Sequence, residues 1–193
     1  MGNPRVLSLV ALASLTFALA GCVHDSHEVG QVTRSDNPAV IKQLDYAKAH
    51  YKNPNTKLFG SLGRTDCVNF TSQTLLARGW RMTKGWSQSS TNGMQYTRAW
   101  ISSTGLRDYL TEHPELATPL TWKQRSKVEV GDVVQFDWDA SGDRDHTAVI
   151  SGIRKDGTLL LTSHSPSAFD WPIGDAIAAQ MSPLTQVYFW HIK

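Results

Sequence analysis

The hydrophobic period of this 193-residue chain changes near residue 130, and that change limits the folds open to it more than any other feature. Before it, apolar residues keep helical spacing. Val40, Leu44, Ala47 and Tyr51 recur at intervals of four, three and four, which predicts an amphipathic helix over about residues 38–51. Asn37-Pro38 supplies its start, a capping residue followed by proline at the first helical position. A second helix is predicted from about Cys67 to Arg78, with Thr65 or Asp66 as its cap and Gly79 as its stop. A third, over about residues 97–112, is weakened by Gly105. After the change, strands are predicted at about residues 132–138, 146–153, 159–164 and 187–192, with Lys155-Asp156-Gly157 as a hairpin turn. Helices first and an antiparallel sheet second predict an α+β domain.

The first residues read as an export signal. Arg5 precedes an apolar run over residues 6–20 that is too short to span a bilayer, and the run closes in Leu19-Ala20-Gly21-Cys22. This resembles a bacterial lipoprotein box, which predicts cleavage after residue 21, acylation of Cys22 and attachment to the outer face of a bacterial membrane. Residues 22–36 are polar and aperiodic, as a tether would be. His24 and His27 lie in it and read as solvated, not as metal ligands. Residues 37–193 then form the one domain expected. Losing the signal removes Arg5 and no acid, so the formal charge of +2 becomes +1, which gives no case for a nucleic-acid partner.

The sequence holds two cysteines, and a lipidated Cys22 leaves Cys67 as the one thiol of the mature chain. A helix N-terminus favours the thiolate, and so does a neighbouring imidazolium. Among seven histidines, His146 opens a predicted strand and His164 ends the next, across one hairpin. Counted from the turn near Asp156, His146 is ten residues back and His164 eight on, so with a modest bulge the two imidazoles are expected side by side at one sheet edge, as a base and its orienting partner must be. Trp86, Tyr96 and Trp100 stand in an aromatic-rich middle segment that would wall a substrate groove, or else belong to the core.

Asp66-Cys67-Val68-Asn69-Phe70-Thr71-Ser72-Gln73, then Gly131-Asp132-Val133-Val134-Gln135-Phe136-Asp137-Trp138, His146-Thr147-Ala148-Val149-Ile150 and Thr162-Ser163-His164-Ser165 resemble the amidase domain of bacterial exported proteins. That family is placed among the papain-like NlpC-type and CHAP cell-wall hydrolases. The resemblance implies helices packed on a small C-terminal antiparallel sheet or half-barrel. It also implies a triad of Cys67 as nucleophile, His146 as base and His164 as orienter, with Asp170 as the rival third residue. Asp66, Asn69 and Gln73 would support the oxyanion or the fold. The function it implies is a cysteine amidohydrolase or peptidase acting on peptidoglycan or another peptide substrate; a monomer is expected. Two rivals are an acyltransferase using the same triad and a non-catalytic wall-binding lipoprotein. With no metal cluster and no phosphate loop in the sequence, no cofactor is expected.

Overall fold

The computed structural model describes residues 1–2, 31–90 and 94–193. The export signal, Cys22, His24 and His27 lie outside the described residues, among which no helix is long and apolar enough to cross a membrane.

Helix α1 spans Pro38–His50, and Asn37 caps it by accepting the Ala39 N–H at 2.9 Å. Its buried face is Val40, Gln43 and Ala47. Gln43 is the polar member, and it donates to the Gly131 carbonyl while accepting from Arg78. A short helix α2, Thr56–Phe59, follows, then α3 over Cys67–Arg78. Every residue of α3 from Cys67 to Leu75 is buried, so this helix is enclosed on all sides, and it ends at Gly79 with φ +117°. That conformation suits glycine because a Cβ would crowd the following carbonyl.

Two two-residue strands, β2 (Gln88–Ser89) and β3 (Gln95–Tyr96), pair with each other beyond α3. The helix expected near residues 97–112 is two helices, α4 (Arg98–Ile101) and α5 (Ser103–Glu112). Ser102 breaks the run because its extended backbone lets its hydroxyl accept the Gly105 N–H and cap α5. Gly105 is required at the corner, where a Cβ would fall 2.6 Å from the Arg98 carbonyl oxygen.

The remaining elements are β4 (Ala117–Thr121), β5 (Val133–Asp137), β6 (His146–Arg154), β7 (Leu159–Ser163), β8 (Ala168–Pro172), α6 (Ile173–Gln180) and β9 (Gln186–Ile192). They make an antiparallel sheet in the order β4-β9-β5-β6-β7-β8. Strand β1, Val32–Thr33, pairs with the far end of β6, so the stretch expected as tether joins the sheet by residue 32. The fold is α+β, and its sheet is larger than the sequence reading anticipated. Alternation splits the core into two layers. Val133, Trp190 and Ile192 face α3, α4 and α5, while Val134, Phe136, Ala148 and Ile150 face α6.

Candidate active site

Cys67 is the first residue of α3, and Asp66 occupies the cap position before it. The Asp66 carboxylate does not cap the helix. It accepts from Leu62 N–H at 2.7 Å, Asn69 Nδ2 at 2.9 Å and His164 Nδ1 at 2.7 Å. The amides of the first turn are left free to point at the sulfur. Burial pushes the Cys67 thiol up, against donors that favour the thiolate: the Thr147 N–H, the Ser103 hydroxyl and the Val68 N–H.

Thr147 places the sulfur beside the start of β6, and His146 is the residue before it. Cys67 and His146 both line one cleft of about 490 Å³, with Arg64, Ser103, Trp138, Arg144 and Trp171 also on its wall. The imidazole lies against Phe136 and Trp138, with ring centres 6.0 and 6.2 Å away. Those aromatic neighbours exclude water, and burial lowers the His146 pKa to about 4. At neutral pH Cys67 is therefore a thiol and His146 a neutral imidazole, the form of a histidine that can accept a proton.

His164 is not beside His146. The β6–β7 ladder pairs Val149 with Thr162 and Ile150 with Leu161, and a bulge then shifts it so that Gly152 faces Leu160. Carried to the strand ends, this register sets His164 across from Thr147, on the sheet face opposite to His146. His164 stacks on Phe70 at 4.1 Å, with Nδ1 on Asp66 and Nε2 2.9 Å from the His50 carbonyl. The His164–Asp66 pair is buried, each side chain under 5 % exposed. Burial works to raise the Asp66 carboxyl, but the bonds from His164, Asn69 and Leu62 hold it below its ordinary value.

Asp170, the rival orienter, is also committed elsewhere. It accepts from Arg34 through both oxygens and from the Ser151 hydroxyl at 2.8 Å. Asn69 donates to the Phe59 carbonyl and to Asp66 and accepts from Trp100, and Gln73 accepts from Tyr46 at 2.6 Å. Both brace the helices. Trp86 and Trp100 are wholly buried in the core, with their indole N–H groups on Ser72 and Asn69. Tyr96 is half-buried and donates to the Phe59 carbonyl at 2.7 Å. The aromatic wall of the cleft comes instead from Trp138 and Trp171. Trp171 sits on β8, a strand whose Pro172 masks its period in the sequence. Ser103 and Arg144 were missed too. Ser103 stands at the start of α5, and Arg144 sits in the β5–β6 turn with its guanidinium 3.5 Å over the Tyr188 ring.

That turn also gathers Asp137, Asp139, Asp143 and Asp145, with ligand atoms within 4.8 Å of one another. Loop amides occupy three of them, Ser141 and Gly142 N–H on Asp137, Ser141 N–H also on Asp139, and Trp138 N–H on Asp145.

Compared with known proteins, residues 37–190 match the model of the family described as "Putative amidase domain". No curated protein and no solved structure matches the chain.

Proposed function

Since this chain belongs to the putative amidase domain family, whose description points to hydrolysis of amide bonds, we propose that it is a cysteine amidohydrolase with Cys67 as nucleophile and His146 as base. The observation that carries the reading is the shared cleft. A cysteine in the first turn of a buried helix and a histidine at the first residue of a strand open onto one cavity, with no hydrogen bond holding the imidazole to another described residue. This helix-borne thiol and strand-borne base are what supports a papain-like arrangement.

Chemistry follows from the protonation states. His146 takes the Cys67 proton as the sulfur attacks the amide carbonyl, and the oxyanion forms against the Cys67 N–H at the helix start. The C–N bond breaks as the imidazolium returns its proton to the departing amine. Water, deprotonated by the same imidazole, then hydrolyses the thioester and releases the acid. The orienting role assigned to His164 or Asp170 is dropped from this scheme, because each spends its polar atoms elsewhere.

The substrate proposed is the peptide portion of peptidoglycan, reached from the outer face of a bacterial membrane through a lipid on Cys22. Because β1 begins at Val32, nine residues, 23–31, separate Cys22 from the sheet, an extended reach of about 30 Å. Purified peptidoglycan incubated with the chain tests the substrate. Soluble peptides ending in a new free carboxylate, identified by mass spectrometry, are expected. A product in which the acyl group has passed to an added amine would favour acyl transfer, and an unchanged sacculus would exclude this substrate.

A further inference from the structure

We infer that Ser103 is a positioning residue for the nucleophile, its hydroxyl held by a one-way chain of hydrogen bonds so that its proton points at the Cys67 sulfur. The inference rests on Cys67 being the nucleophile, and it begins at a side chain far from the cleft. Trp190 can only donate, and its Nε1–H meets Gln135 Oε1 at 2.9 Å. That fixes the orientation of the Gln135 amide. Its NH₂ must face the other way, where it donates to the Ser103 carbonyl at 2.8 Å and to Thr147 Oγ1 at 3.2 Å. Thr147 Oγ1 accepts that bond and donates its own hydroxyl to Ser103 Oγ at 2.9 Å. The Ser103 hydroxyl, having accepted in turn, has its proton left for its next neighbour, Cys67 Sγ at 3.8 Å.

Local structure explains why a serine is free for this. Ser102 takes the capping duty of α5, accepting the Gly105 N–H at 3.1 Å, so the adjacent Ser103 turns inward. Gln135, Thr147 and Ser103 are each under 5 % exposed, so water does not compete for these bonds. A donor at this distance holds a neutral thiol weakly and a thiolate strongly, because a charge-assisted bond is shorter and about twice as strong. The chain therefore stabilises the sulfur in the state in which it attacks.

The test reads the thiol itself, independently of any amide substrate. Iodoacetamide alkylation of Cys67 is followed against pH in the full chain, with the modified peptide quantified by mass spectrometry. Ser103→Ala is expected to slow alkylation at pH 7 about tenfold, the equivalent of one unit in the thiol pKa, and Ser103→Thr, which keeps a hydroxyl, is expected to restore most of it. Thr147→Val keeps the Ser103 hydroxyl but removes the bond that directs it, and is expected to slow alkylation by a smaller factor. A Ser103→Ala profile superimposed on that of the unsubstituted chain would overturn the inference, whatever happens to the melting temperature. Should Ser103→Ala not fold, an unshifted Thr147→Val profile would overturn it. Loss of the amidase reading alone would leave these alkylation profiles as expected.

Discussion

At residue 66 one carboxylate decides where the neighbouring sulfur can look. Asp66 stands at the cap position of α3 yet accepts none of the helix's backbone N–H groups, clamped instead by the His164 and Asn69 side chains and the Leu62 amide. A buried pair of this kind contributes little over an apolar substitute, but removing one partner strands the other. His164→Ala should therefore cost about 3–5 kcal/mol of unfolding free energy, read as a lower urea midpoint. Turnover by the protein that remains folded should be little changed. An orienting histidine would give the reverse, a loss of kcat with stability kept. His146 answers to pH instead. With its pKa at about 4, against about 6.5 for a solvated imidazole, it stays a competent base down to about pH 5. The acid limb of kcat/KM is expected well below 6.5, and a limb at 6.5 or above would contradict the buried, neutral base.

Elements of strong period were legible in the sequence, and the error lay in the size of one bulge: facing His164 with His146 needs a shift of two residues, and the ladder shifts by one. The helices beginning at Pro38 and Cys67, and strands β5, β6, β7 and β9, stand where spacing put them. Strand β6 bulges near Ser151, so the pairing that sets Ile153 against Leu159 becomes one that sets Val149 against Thr162. Without the bulge, His164 would face Ala148 and share a sheet face with His146; with it, every side chain before the bulge changes sides relative to β7. Nothing in Ile150-Ser151-Gly152 announces this beyond the glycine, where a Cβ would fall 2.6 Å from Val32. For the tryptophans, the structure takes the core alternative. Trp86 and Trp100 satisfy their N–H groups on Ser72 and Asn69 of α3, partners that only the folded helix supplies. The α4–α5 corner gives an element-scale prediction. Gly105→Ala would force the start of α5 away from Arg98, and should lower stability by about 1–3 kcal/mol while moving Ser103 away from the sulfur. Thermal unfolding and Cys67 alkylation measure the two effects.

Taken whole, the molecule is one interlocked sheet and helix layer, with the proposed nucleophile, Cys67, from the first half and the proposed base, His146, from the second. Strand β9, the last in sequence, lies between β4 and β5, and its Trp190 begins the hydrogen-bond chain that ends at Ser103. Residues 37–130 expressed alone would lack the sheet that buries α3, and are expected to show no cooperative thermal transition. Acid stability follows from the buried groups. His146 has a depressed folded pKa, so the unfolded chain binds its proton more readily, and stability should fall by about 3 kcal/mol as pH drops from 6.5 to 4. The share from Asp66, also depressed, is present above its unfolded value near 4 and is lost as pH falls through the lower folded value. Urea midpoints between pH 7 and pH 3 should show both declines. The central claim is that one thiol does the chemistry, and turnover of Cys67→Ala on peptidoglycan peptides tests it most directly. A loss of at least about a thousandfold, with an unchanged far-ultraviolet circular dichroism spectrum, is the expected result; undiminished turnover in that variant would contradict the account.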